Sequence, residues 1–359
     1  MNSRQRIQAA LDHLQPDRTP IFEYVLLSPL ADVLLGHPYA GDPDSWDLLV
    51  SEVGWEKAVY RNAGDRLELA RVLGHDMIYA TPVPPPPDLE VTSPPQASLP
   101  ADPVEALRIR NMQTRNQPFL NADTLLIYQV LKEEMPKMNL DIPIMAPAYF
   151  HGVWTDIDLM QTMLLDPPTA YEHFSLATQR ALAYIDRYIE LDIEMIGVGG
   201  DFAGTRPIIS PKAYRTFIVP EVRTCARRLH AAGKYAVNAS DGDLWLVIDD
   251  FLIGCEVDGY LEIDFFAGMD LRRLKQEYGN RITFFGNLDC GNLLSFGTPE
   301  QIRRHTFDCL DAGMGNGGHI LCASNAITAS ISLQNYLAMV NAYREYFGLP
   351  AIMSKDVLK

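Results

Sequence analysis

The sequence predicts an α/β protein of the (β/α)8 TIM-barrel type, and three observations carry that prediction. Eight short β-rich runs alternate with helical patterns along the 359 residues. Most of the runs stop in acidic or amide residues, as strands do where a parallel sheet presents its carboxyl ends to a ligand. No Gly-x-Gly-x-x-Gly segment follows the first run, and the glycine-rich stretch 313–318 precedes a strand instead of opening a helix. Both facts argue against the doubly wound open sheet, which is the main alternative.

The elements follow in order. A helix from Ser3 to Leu14 forms an N-terminal extension and ends before the turn Gln15-Pro16-Asp17-Arg18. The expected strands are Thr19–Tyr24, Asp76–Ala80, Ile142–Ala148, Met195–Val198, Tyr235–Val237, Gly259–Ile263, Ile282–Gly286 and His319–Cys322. Between them, Ser210-Pro211 and Thr298-Pro299 each pair an N-cap residue with proline at the first helical position. Gly233 and Gly313 stand where a glycine helix cap is expected. Residues 25–75 and 82–141 are long insertions after strands 1 and 2. The second contains the proline-rich stretch 82–100, stiff and extended, which reads as a surface linker or as a lid. No internal repeat and no second core is evident, so residues 1–359 are expected to form a single domain.

Composition narrows the function. The chain is 47% hydrophobic and 21% charged, which suits a globular core. Its 30 Lys+Arg against 46 Asp+Glu give a net charge of −16, a field that repels nucleic acid and anionic lipid. No apolar run reaches the length of a membrane span, and the N-terminus shows no signal core. The five cysteines have no CxxC spacing, so neither a disulfide framework nor a zinc knuckle is expected. These features lead to the expectation of a cytoplasmic protein, monomer or homodimer, that acts on a small molecule.

If the strands close a barrel, their following residues line one mouth: Glu23, Pro82, Tyr149 with His151, Asp201, Asn238 to Asp243, Glu262, Asn287 with Asp289, and Asn325. The clearest run is Tyr235-Ala236-Val237-Asn238-Ala239-Ser240-Asp241-Gly242-Asp243, three strand formers followed by small, polar and acidic residues. Asp243 reads as a helix cap and Asp241 as the candidate for chemistry. Gly199-Gly200 lets the chain turn so that Asp201 projects over the mouth. Arg206 either grips a substrate carboxylate or closes the loop as an ion pair with Asp201. His151 is the candidate acid–base among the eight histidines, with a structural role as the alternative. Tyr149, Asn238, Glu262, Asp289 and Asn325 are the candidate substrate contacts. Cys322 reads as core.

Several segments together resemble the uroporphyrinogen decarboxylase superfamily: Ile7-Gln8-Ala9-Ala10-Leu11 with Pro16–Pro20, Leu73-Gly74-His75-Asp76, Asp201-Phe202-Ala203-Gly204 with Ile209–Tyr214, Gly286-Asn287-Leu288-Asp289, and Gly317-Gly318-His319-Ile320-Leu321. The resemblance implies a (β/α)8 barrel, and it adds Asp76, at the family's pyrrole-contacting aspartate, to the candidate substrate contacts. The decarboxylases of this superfamily carry an Arg-Gln-Ala-Gly-Arg segment where this chain reads Glu23-Tyr24-Val25-Leu26-Leu27. Asp201 stands at their catalytic serine and Asn325 at their late histidine, which argues against heme-pathway decarboxylation. The zinc methyltransferases carry His-x-Cys-Gly and a distal Cys. Here Ala239, Asp241 and Asn325 take those places, a poor set for zinc. A harder cation on Asp201, Asp241 and Glu262 is the alternative; no metal is the expectation. What the resemblance then implies is a corrinoid-linked methyltransferase or demethylase. Its cobalamin would be carried by a partner protein, its substrate would be small and methylated or methoxylated, and Asp201, Asp241 and His151 would be catalytic. A decarboxylase or lyase of a small carboxylic acid and a non-catalytic binding barrel are the alternatives.

Overall fold

The computed structural model describes residues 1–87 and 100–353. Most of the proline-rich stretch 82–100 therefore lies outside the described residues. In chain order the elements are α1 (Ser3–Leu11), α2 (Leu30–Leu35), α3 (Trp46–Val53), α4 (Trp55–Leu73), β1 (Ile78–Tyr79), α5 (Pro103–Arg115), α6 (Leu126–Lys137), β2 (Ile144–Phe150), α7 (Ile157–Leu165), α8 (Pro167–Glu190) and β3 (Met195–Gly199). They continue with α9 (Pro211–Ala213), α10 (Val219–His230), β4 (Tyr235–Ala239), β5 (Gly259–Leu261), α11 (Leu271–Tyr278), β6 (Thr283–Phe285), α12 (Pro299–Ala312), β7 (His319–Ile320) and α13 (Leu333–Tyr346). The alternation and the parallel strand pairing make this an α/β protein.

The chain divides into two compact units. The first comprises 1–83, 125–145 and 261–359. In it β1 pairs with the start of β2 through Ile78↔Ile144, and β6 pairs with β7 through Phe284↔His319, both in parallel. The expected strand Thr19–Tyr24 forms only an isolated parallel bridge, Ile21↔Leu321. Pro20 has no N–H to donate, so the segment is held by its carbonyl, which accepts from Leu321 N–H at 2.8 Å, and by the Phe22 N–H, which reaches Leu321 O at 3.1 Å. Its core joins Ile21 and Leu321 to Leu34, Leu294, Tyr336 and Val340.

The second unit comprises 84–124 and 146–260. Here β3 and β4 pair in parallel through Met195↔Tyr235, Ile196↔Ala236 and Gly197↔Val237. Its core is aromatic: Phe202 stacks on Tyr214 at 4.5 Å between centroids, and Phe251 meets Tyr260 edge-on at 4.9 Å. Burying a side chain of this size stabilises by roughly 1.5–3 kcal/mol.

The caps explain where helices start. Asn2 and Gln5 form a reciprocal capping box on α1, as Thr298 and Gln301 do on α12, and Ser210 accepts from Ala213 N–H at 3.1 Å. Two expectations need correction. The first helix stops at Leu11 because Asp12 caps it and His13 adopts φ 56°. Gly313 is not left-handed (φ −68°), and Met314 takes that conformation instead. Glycine is needed at 313 because a Cβ there would lie 1.9 Å from the His319 ring.

Candidate active site

The second unit extends its β3–β4 ladder beyond the strands into the loops. Gly200 N–H donates to Ala239 O at 3.0 Å, and Phe202 N–H reaches Ser240 Oγ at 3.4 Å. Asp241 N–H donates to the Asp201 carboxylate at 3.0 Å, and Asp243 N–H to Gly204 O at 2.8 Å. Two loops that could each wander are thereby fixed on one another, with Asp201 and Asp241 adjacent. Gly242 sits at φ +87°, and a Cβ there would come within 2.5 Å of Gly204 O, so this close approach requires glycine. Asp243 accepts from Trp245 N–H at 3.0 Å and caps the helical turn that follows. That segment becomes a π-helical turn over Asp250–Gly254.

His151 is buried beside this pair of loops. Its ring meets Phe202 edge-on at 6.0 Å, and its Nδ1 accepts from Val153 N–H at 3.3 Å. Burial pushes its pKa down to about 4, against a smaller upward pull from the Gly200 carbonyl. At neutral pH the ring is therefore uncharged. It can accept a proton or orient a group, whereas the expectation of a general acid near neutrality is corrected.

Other candidates in this unit divide. Arg206 lies exposed on a turn whose Gly204 N–H donates to Arg206 O, and among the described residues it has no ion-pair partner. The alternative of an Arg206–Asp201 ion pair is thus set aside. Asn238 is committed to structure: its amide donates to Phe251 O at 3.1 Å, and its carbonyl accepts from Ala239 N–H. Tyr149 is buried against Glu221 and Cys225 of α10 and Thr178 of α8, away from the substrate role expected of it.

In the first unit, Glu262 follows β5 with φ +69°, a conformation that β-carbon sterics disfavour and that marks a constrained position. Asn325 is half-buried and accepts from the Ala326 N–H at 2.6 Å. Asp289 is a cap, accepting from Asn292 N–H at 3.0 Å. Asp76 is corrected from substrate contact to anchor. It is fully buried at the amino end of β1, and it accepts from Arg6 Nη1 at 2.5 Å, Ser3 Oγ at 2.8 Å and Ile21 N–H at 3.1 Å.

Glu23 was only one of several polar residues at the expected strand ends. The structure shows it completely buried, with Ala323 N–H at 3.3 Å and Tyr336 OH at 3.4 Å from its carboxyl oxygens. Desolvation raises its pKa to about 8. The folded protein therefore holds a proton that the unfolded chain releases near pH 4.5. Stability should fall as pH rises from about 4.5 to about 8 and level off above. Urea denaturation at several pH values should show that slope, and Glu23→Gln should flatten it.

Parallel strands followed by loops that seat the Asp201 carboxylate on the Asp241 backbone define an α/β protein with acidic residues gathered at its strand ends. The chain belongs to the uroporphyrinogen decarboxylase (URO-D) family, whose model matches residues 101–346. A methylated-thiol–coenzyme M methyltransferase of Methanosarcina mazei is 24% identical over 180 residues, 50% of this chain and 46% of that protein, so the match spans under half the relative's length. A solved methyltransferase structure from Methanosarcina mazei superposes with a TM-score of 0.63 at 17% identity, covering 97% of this chain and 99% of the other. This likeness shows a shared fold. Among the described residues no helix is long and apolar enough to cross a membrane.

Proposed function

We propose that this chain is a methyltransferase or demethylase acting on a small methylated or methoxylated compound, built as one (β/α)8 domain and working with a corrinoid carried by a separate protein. Family membership and two methyltransferase relatives support the class of reaction. The observation that carries the reading is the zipped pair of loops holding Asp201 beside Asp241. The zinc of related thiol methyltransferases does not fit. Ala239 offers no donor atom, and among the described residues no group of three His, Cys, Asp or Glu could hold a metal.

In this reading the partner's corrinoid supplies the methyl acceptor. Asp201 and Asp241 move a proton to the oxygen or nitrogen that the methyl group leaves, and the neutral His151 orients the group being protonated. The test is demethylation of candidate methoxylated and N-methylated donors in the presence of cob(I)alamin. We expect turnover that survives exhaustive chelation. No demethylation of any donor, or turnover that depends on added zinc, sinks the proposal.

The unpaired, exposed Arg206 favours a second reading, a decarboxylase or lyase that grips a small carboxylic acid. Carbon dioxide release in the absence of any corrinoid selects it.

A further inference from the structure

The second unit contains a cavity of about 380 Å³ that extends from His151 to residues to which the methyl-transfer reading gives no role. Its size lies in the range of small-molecule sites. Ala148 and Phe150 of β2 and Leu176 of α8 give it an apolar wall, and Thr114 of α5 and Arg180 of α8 give it polar groups. Phe150 is 57% exposed and presents its ring along the cavity wall. A Cβ at Gly200 would lie 2.6 Å from its ring, so the glycine lets the ring lie against the Asp201 loop.

The charges around the cavity decide what it can hold. Asp156 faces it but is neutralised, since its carboxylate takes Arg110 Nη2 at 3.0 Å and Leu159 N–H at 2.9 Å. His173 donates its Nδ1–H to Asn111 Oδ1 at 3.1 Å, an assignment fixed because the Asn111 amide donates to Thr169 O. Burial keeps both His173 and His151 on the neutral side. Arg180 is exposed and, among the described residues, forms no ion pair. One unpaired guanidinium beside an aromatic and aliphatic wall matches one carboxylate on an apolar body. A phosphate dianion would meet a single cation on a chain of net charge −16.

We propose that this cavity binds a small aromatic monocarboxylate, with the carboxylate on Arg180 and the ring against Phe150. The cavity shares His151 with the proposed methyl-transfer site, so the proposal rests on that reading of the site, yet it fails separately because binding is read without turnover. Titration calorimetry with benzoate and its neutral isostere benzamide tests it. Benzoate should bind, and benzamide should bind at least about tenfold more weakly, the usual worth of a charge-assisted pair. Arg180→Gln, at an exposed position where folding is not at stake, should remove that preference. Ala177 of α8 is half-buried on the cavity wall, so Ala177→Phe should block benzoate by filling the cavity while the melting temperature stays near wild type. No benzoate binding to the wild type, equal binding of benzamide, or unchanged benzoate affinity in Arg180→Gln overturns the proposal.

Discussion

Asp201→Asn should reduce turnover by about a hundred- to ten-thousand-fold, the range for a positioned proton-transfer group, and leave the melting temperature unchanged. The asparagine keeps a carbonyl oxygen where Asp201 accepts the Asp241 N–H at 3.0 Å, so the two loops stay zipped. What it loses is the ability to exchange a proton. Asp201→Ala removes the acceptor as well and should add about 1 kcal/mol of destabilisation. Demethylation rates and thermal melts of the two variants together separate the roles. If Asp201→Asn is as active as wild type, Asp201 is only a loop anchor.

The second large effect concerns stability. Asp76→Ala should cost about 1.5–3 kcal/mol, because it removes a charge-assisted partner of the buried Arg6 guanidinium, which keeps its ion pair with Asp17 at 2.7 Å. The side chains of Arg6 and Asp76 are 3% and 0% exposed and 2.5 Å apart, so water cannot replace the lost partner. Asp76→Asn, which still accepts from Ile21 N–H, should fall between the two. Urea midpoints measure the order, and turnover well below the melting temperature should stay near wild type. A variant that melts like wild type yet loses activity would return Asp76 to the substrate contacts.

Element positions were largely legible because periodicity and caps are local. Seven of the expected strands appear, each with its ends within about two residues of those expected, and Ser210-Pro211 and Thr298-Pro299 start helices as their side chains dictate. The eighth, Thr19–Tyr24, forms only a bridge, because Pro20 cannot donate to a ladder. Site residues were harder, because an acidic residue after a strand looks the same whether it caps, anchors or reacts. Asp289 caps, Asp76 anchors, and Asn238 is consumed by its own neighbours. Glu23 shows the opposite error: its sequence neighbours Phe22 and Tyr24 gave no sign that the carboxyl would be buried, with hydrogen bonds only from Ala323 and Tyr336, some 300 residues away, to offset its desolvation.

The run from Tyr235 to Asp243 illustrates the division. Sequence alone determined that a strand ends there in acidic residues, since strand formers give way abruptly to small and polar ones, and that Ala239 cannot ligate zinc. Only the tertiary structure decided that Asp243 caps while the Asp241 backbone locks onto Asp201. It likewise decided that His151 is neutral and that Arg180 is left unpaired over a cavity. Composition and spacing fix what a segment can form, whereas charge state and partnership depend on what distant segments bring within about 3 Å.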